Sequence, residues 1–522
     1  MNSANDEAGE TPVAPSVAAE PPPATEPPPA PSPPPQHNLK KMALTSALWT
    51  GAGFAWFQVI RFAANVVLAR LLFPEAFGLV ATAFVFLMGI HLFADVGIRT
   101  SVIQHERGEE PDFYNTAWTL QIIRGFILFF VSFLLAWPVA YLRDPPQPIL
   151  MILLPLMGSM SIITGFYSTA LYTLERHMQQ KRTVLIDLTA QIISLGVTVV
   201  WAWFWPTVWP LAFGQIAAGL IQLVWSHRLI PGYRNRLRWD RTALHELIHF
   251  GKWIYVSTAM TFLANQADRL VVGYRSLSLL GVYHMAAQLA LIPHQLMLTF
   301  AGRLAFPLYS KIKQSGKDVR QFFGRIHLAT GSVAALLLAG VLATGPTLVQ
   351  LVYDSRYQDA GWMLHILAFG VWFQILEALE GSVLLALGEA KPSAISNFGK
   401  VLTLLIAVPL GTYYWDFTGM IVAFAAGDCT RYIITVCFVR AQRVPVLRYD
   451  LPLLAFVILS SQLALHCGDW WFPAPVPVAG AVKDYRLLAI RLLIQGSVVV
   501  GLWLVPMAVC WKAGLFKKPA GA

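Results

Sequence analysis

The segment HELIH, His245 to His249, sets two histidines four residues apart around a glutamate. On a helix that spacing puts both rings on one face, where they can hold one zinc while the glutamate serves as general base. Three other groups of polar residues have similar spacing. Arg61 and Asn65 are four apart. Asn265 and Arg269 are four apart, with Asp268 three beyond Asn265. Glu377 and Glu380 are three apart. Each group shares one helix face. Guanidinium and amide groups suit an anion, phosphate above all, which a guanidinium binds through two parallel N–H bonds while keeping its charge. Clustered carboxylates suit a coupling cation, a proton or a sodium ion. Which chemistry is open to the chain depends on the elements that carry these residues.

Those elements lie in a membrane. Of 522 residues, 13% are charged and 56% hydrophobic, and mean hydropathy is +0.56. A water-soluble domain carries about 25% charged residues. The net charge of +10 would suit nucleic acid if it were clustered on a soluble surface, but its placement follows the membrane, and no nucleic-acid partner is expected. Cys429, Cys437, Cys467 and Cys510 show neither pairing nor metal-ligand spacing, and most sit in apolar runs as small core residues.

Apolar runs long enough to cross a bilayer recur near 46–71, 77–98, 116–140, 149–171, 183–204, 208–227, 250–273, 280–303, 326–352, 361–387, 394–414, 418–439, 450–467 and 487–510. With the N-terminus cytoplasmic, loops on that side carry 25 of the 38 Lys and Arg residues and the opposite loops carry 6. That bias supports an even number of spans with both termini inside. The opposite loops are short, so there is no room for a folded external domain. Residues 1–38 contain five acids, no Lys or Arg, and the run PPPATEPPPAPSPPPQ. Such a segment cannot bury a core and is expected to be a disordered tail.

The chain also repeats itself. An offset of 203 lays LARLLFPEAFGLVATA (Leu68 to Ala83) on VVGYRSLSLLGVYHMA (Val271 to Ala286), matching Gly78 with Gly281, Ala83 with Ala286 and Asn65 with Asp268. Two parallel six-span repeats imply two bundles facing a central cavity. The expected division is a tail over 1–38, a first lobe over 39–229, a cytoplasmic linker with an interfacial helix over 230–249, a second lobe over 250–440, and two added spans with a C-terminal tail over 441–522. The fold class is therefore an all-α polytopic membrane protein of about fourteen transmembrane helices. It has two six-helix lobes around a cavity plus two C-terminal helices.

Charges inside spans normally face a cavity or a partner. The cations are Arg61, Arg124, Arg269, Arg303, Lys400, Arg431 and Arg491, and the acids Asp187, Asp268, Glu377, Glu380 and Asp428. Arg303, Lys400 and Arg491 can reach an interface, whereas Asp428 and Arg431, three apart, are spaced to neutralise each other. Arg61 and Arg269 lead the two lobes and point to an anionic substrate.

LARLLFPEAFGLVATA, FADVGIRTSVIQ and DFYNTAWTLQIIRG resemble the polysaccharide transporter family of oligosaccharide flippases. That family's superfamily also holds lipid II flippases and multidrug and toxin extrusion antiporters. LALGEAKPSAISNFGKVL (Leu385 to Leu402) and ADRLVVG (Ala267 to Gly273) are similar to its second half. The resemblance spans about 40–440. It implies alternating access in the bacterial inner membrane, moving an undecaprenyl-diphosphate-linked oligosaccharide to the outer leaflet for exported polysaccharide. On that reading Arg61, Arg269, Asn65 and Asn265 bind the diphosphate. Asp268, Glu377 and Glu380 are candidates for coupling to a proton or sodium ion. No cofactor is expected, and the partners would be membrane lipid, a polysaccharide polymerase and a chain-length regulator. Two rivals are a cation-coupled multidrug exporter, which the cationic spans disfavour, and a glycan polymerase or ligase, which needs a larger outer loop.

A zinc metalloprotease is a third rival. It needs another protein ligand and a wet cleft, and the sequence offers no second motif to supply one. In the resembled family this position is an interfacial helix, and LHELIHFGKW alternates polar and apolar residues as such a helix would. The purified protein is therefore expected to hold no stoichiometric zinc by elemental analysis, with His245→Ala close to wild type. One zinc per chain, lost in that variant, would reverse this reading.

Overall fold

The computed structural model describes residues 36–94, 98–104, 106–141, 145–177, 180–228, 234–240, 254–314, 318–389, 391–472 and 484–512. Among them there are helices and no strand. In hydrocarbon every backbone polar group must be satisfied within its own segment, which a helix does. The order is α1 (Gln36–Leu71), α2 (Pro74–Phe93), α3 (Ile98–Gln104), α4 (Pro111–Tyr141), α5 (Leu150–Gly158), α6 (Met160–Gly165), α7 (Ala170–Arg176), α8 (Gln180–Phe204) and α9 (Trp209–Arg228). The second half continues with α10 (Ile254–Arg275), α11 (Leu277–Ala290), α12 (Ile292–Phe300), α13 (Phe306–Gln314), α14 (Val319–Val352), α15 (Ala360–Leu387), α16 (Lys391–Ala441), α17 (Leu447–Trp471) and α18 (Tyr485–Lys512).

Nine of the described helices are long and apolar enough to span a membrane, and the broken pair Leu150–Gly165 and Ala170–Arg176, bent by 67°, makes a tenth. α16 is two spans. Its helix is interrupted at Trp415 and at Asp416, whose φ of 48° reverses the chain. Gly411 and Gly419 let the two arms touch, since a Cβ on either would stand within 2.4 Å of the other's carbonyl oxygen. The described helices α9, α10 and the broken α11–α12 coincide with three further expected spans, though they fall short of the combined length and apolarity of the others.

The repeat has a physical counterpart. α2 and α11 cross so closely that a Cβ on Gly78 would lie 1.9 Å from the Leu277 carbonyl oxygen, and one on Gly281 1.9 Å from that of Pro74. Leu277 is Pro74 shifted by the same 203 residues. The contact is therefore reciprocal, as a two-fold between the repeats requires. Ala83 and Ala286, also equivalent, are both fully buried beside it. Small residues allow such backbone approach where no hydrophobic force favours helix association.

A second reciprocal contact joins the halves at the same end. Arg356, between α14 and α15, donates to the carbonyls of Ala69 and Arg70 at the end of α1, at 3.1 and 3.3 Å. Arg70 donates in return to the Val352 carbonyl at the end of α14, at 3.4 Å. Each arginine thus caps the other half's exposed helix carbonyls. Asp354 holds Arg356 in place through its Nε at 2.9 Å.

Of the linker, residues 234–240 are described, and they have no regular secondary structure. Their backbone N–H groups bond to side chains of α4. Arg236 reaches Asn115 at 2.8 Å, Arg238 reaches Thr119 at 3.0 Å and Asp240 reaches Thr116 at 3.1 Å. Every second N–H of this stretch thus meets the polar face of α4. HELIH, the tail before Gln36 and the side chain of Arg303 lie outside the described residues.

Gly281→Val should therefore cost about 1–3 kcal/mol of stability, read as a lower melting temperature in detergent. Gly501→Ala, where a Cβ meets nothing within 4 Å, should be neutral or slightly stabilising. Equal melting of the two variants would mean that the α2–α11 crossing does not set the packing.

Candidate functional site

A cavity of about 500 Å³ opens among α10, α11, α12, α15 and α16, with Met88 of α2 completing its wall. α15 and α16 are apolar enough to span a membrane, and polar residues of all five helices gather on the faces that line the cavity. Asn265, Asp268, Arg269 and Glu377 line it, together with Lys400, Asp428 and Arg431.

Four of these charges are closed in pairs. Lys400 Nζ meets Asp428 Oδ1 at 2.5 Å, and Gln374 donates to the other Asp428 oxygen at 2.8 Å. Arg431 Nη2 meets Glu377 Oε2 at 2.9 Å. All four side chains are largely buried. Asp428 thus finds Lys400 on the other arm of α16 rather than Arg431 on its own turn. Arg431 instead turns to Glu377 and, at 3.5 Å, Asn265. Lys400 is a cavity-wall residue, 6% exposed, and does not reach an interface. Arg491, also 6% exposed, is held by Asp469 at 2.6 Å and the Phe472 carbonyl at 3.1 Å.

Arg61 and Arg269 are left open. Neither forms a salt bridge among the described residues. Arg269 donates to the Gln266 amide oxygen at 2.7 Å, and its Nε is buried with no partner. Arg61 donates to Gln295 Oε1 at 3.4 Å, an oxygen that Gln58 also reaches at 3.1 Å. The two guanidinium groups come from different halves, yet both lie near enough to act electrostatically on His284. Asn65 donates to Gln288 Oε1 at 2.5 Å, and Gln288 in turn contacts His284. Asp268 accepts from the Tyr283 hydroxyl at 2.5 Å and keeps one oxygen unbonded. Amide and imidazole contacts exchange readily for a stronger acceptor. An anion between these arginines would gain two charge-assisted partners without breaking an ion pair.

The fold brings Arg61, Asn65 and Arg269 toward His284, sets Asp268 on the neighbouring Tyr283, and places Asn265 and Glu377 along the same cavity. It does not bring Glu380 there. That residue, one turn beyond Glu377, is wholly buried against α17. Sequence reasoning missed His284, Gln288 and Gln295. A spacing of four places His284 and Gln288 on one face of α11, while Gln295 lies on α12 beyond the break; the signal was present in the sequence but carried by neutral residues.

A family model described as "Polysaccharide biosynthesis protein" matches residues 67–361. The chain is 21% identical to the lipopolysaccharide biosynthesis protein WzxC of Escherichia coli (strain K12), over 72% of this chain and 76% of that protein. It is 22% identical to the teichuronic acid biosynthesis protein TuaB of Bacillus subtilis (strain 168), over 72% and 78%. Its fold matches the solved structure of the lipid II flippase MurJ in an inward closed conformation. The TM-score there is 0.67 at 12% identity, covering 90% of this chain and 99% of that one.

Breaking the Lys400–Asp428 pair should be costly. Lys400→Met leaves a buried carboxylate uncompensated, worth about 3–5 kcal/mol of stability. Adding Asp428→Leu should recover much of that loss. Thermal melting of both single variants and the double variant measures the coupling. Strict additivity would mean that the pair makes no energetic contact.

Proposed function

The chain belongs to the polysaccharide biosynthesis protein family, and from that premise we propose that it flips a lipid-linked oligosaccharide rather than polymerising or cleaving one. The cargo is an undecaprenyl-diphosphate-linked repeat unit, taken at the cytoplasmic leaflet and released at the outer leaflet of a bacterial inner membrane. The names of WzxC and TuaB, both polysaccharide biosynthesis proteins, and the flippase fold of MurJ support this reading. The Lys and Arg bias of the loops supports cytoplasmic termini. A polymerase and a chain-length regulator would take up the product.

One observation carries the proposal: two guanidinium groups without carboxylate partners among the described residues, Arg61 from the first half and Arg269 from the second, converge near His284 beside the cavity. A diphosphate has oxygens enough for both. Asn65 and Asn265 add neutral donors, and the neutralised pairs Lys400–Asp428 and Arg431–Glu377 keep the rest of the cavity from trapping the anion. Because the arginines belong to opposite halves, the diphosphate binds best only when the halves bring them together. That differential affinity is what lets a ligand shift a two-state equilibrium. Asp268, with one unbonded oxygen, and Glu377, at the cavity, are the candidate coupling groups on this side of the protein.

Flipping of lipid-linked oligosaccharide in proteoliposomes is the test. Each charge-assisted contact is worth about 1.5–3 kcal/mol, so Arg61→Ala and Arg269→Ala should each weaken transport by roughly ten- to a hundredfold. Arg→Lys keeps the charge but not the fork and should fall between. Melting curves must stay close to wild type. Well-folded alanine variants that both flip at the wild-type rate would exclude the diphosphate role.

A further inference from the structure

Away from the cavity, α14, α15, α16 and α17 enclose polar groups that the diphosphate site does not use. Glu380 on α15 is 0% exposed, and neither of its carboxyl oxygens has a hydrogen-bond partner among the described residues. Its polar neighbour is another carboxyl group, Asp450 on α17. Asp450, 2% exposed, has His327 Nε2 at 2.6 Å on one oxygen and accepts from the Tyr432 hydroxyl at 2.7 Å on the other. Phe323 stacks on His327 with ring centroids 4.8 Å apart and seals that side.

The charges facing this pocket come from four helices. From α14 comes His327, committed to Asp450. From α15 comes Glu377, committed to Arg431. From α16 come Arg431 itself, Tyr432 and the partly buried Cys429. From α17 come Asp450 and Tyr449, whose ring lies by His327. Among the described residues no cation is left for Glu380. A bare carboxylate here, beside a second one and without a donor, would carry a desolvation cost that nothing offsets. Two carboxyl groups in contact settle this by sharing one proton. A metal ion is a poorer occupant. Hard cations need a shell of oxygen ligands, and among the described residues no group of three His, Cys, Asp or Glu side chains is arranged to hold one.

We propose that Glu380 and Asp450 form a proton-binding site, with His327 and Tyr432 as positioning residues that fix the Asp450 carboxylate so that Glu380 carries the proton. Its coupling role rests on the flippase reading above; the site itself does not. The link to the cavity runs along two successive turns of α15. Glu377–Arg431 faces the cavity, and one turn on, Glu380 faces Asp450 and Tyr432. A rearrangement of α15 against α16 that parts Arg431 from Glu377 loosens the first of these contacts. Water reaching the second then lets Glu380 release its proton to solvent as hydronium. The site lies near the loop end of its helices. Asp450 is the fourth residue of α17 and Glu380 is seven from the end of α15, or about 5 and 10 Å along the helix axes.

Two measurements test this on the full-length protein. Infrared spectroscopy of the purified wild type near neutral pH should show a protonated-carboxyl band that Glu380→Gln removes, with the melting curve unchanged because the amide mimics the neutral acid. A wild-type spectrum with no band that disappears on the Glu380→Gln substitution, or a Glu380→Gln protein that melts far lower, would overturn the site. In proteoliposomes, wild-type flipping should vary with pH by up to about tenfold per unit for a one-proton step, and Glu380→Gln should flatten that profile. A Glu380→Gln variant with the wild-type pH profile would overturn the coupling and leave a purely structural proton. If the wild type flips nothing, the transport reading fails, and the infrared band still decides the site. Asp450→Asn is an independent check. It removes the second carboxylate, so Glu380 should ionise more readily and lose its band, and an unchanged band would overturn the pairing.

Discussion

The reciprocal seating of Gly78 under Leu277 and Gly281 under Pro74 is the contact on which the rest of the molecule depends. Lipid tails are as apolar as leucine, so nothing squeezes α2 and α11 together. They stay together because glycine lets each backbone settle into the other. α1 runs directly into α2, and α10 directly into α11. Once the inner pair is fixed, the leading helices of both halves must flank it. Arg61 and Arg269, far apart in sequence, then arrive near one imidazole. A methyl group at either glycine would part the pair and the polar cluster with it.

Within that frame the buried charges divide by whether they have an opposite to hold. Lys400–Asp428 and Arg431–Glu377 are closed. Such pairs contribute little net stability when intact, and their loss is expensive when one member goes. Among the described residues, Arg61 and Arg269 are bonded to amides and Glu380 to nothing. Open charges are retained at a cost in stability, which makes these positions the candidates for a ligand or a proton site.

Much of this was legible in the sequence. Spans follow from hydropathy because hydrocarbon admits only internally satisfied backbone, and the repeat shows in two glycines because no other residue serves at the crossing. Pairing was not legible. Helical spacing tells which residues share a face, as Asp428 and Arg431 do, but not that Lys400, 28 residues earlier, lies closer across the hairpin. Spacing of three also leaves Glu377 and Glu380 roughly 60° apart around the helix, enough to send one to the cavity and the other to α17. The strap at 234–240 left no trace, since its bonds use backbone N–H groups that every residue type but proline possesses. HELIH shows the converse: a pattern easily seen whose chemistry needs a third ligand that the sequence does not provide.

The crossed arginines Arg70 and Arg356 have a consequence for the energetics of opening. Each satisfies carbonyl oxygens at the end of a helix from the other half, and those ends sit where the short loops meet solvent. Parting them would strand no group, because water can replace a guanidinium at every carbonyl it leaves. The exchange trades one set of hydrogen bonds for another of similar strength. At this end the halves are joined by a fastening that solvent can substitute for bond by bond, so parting them there would cost little in hydrogen bonding.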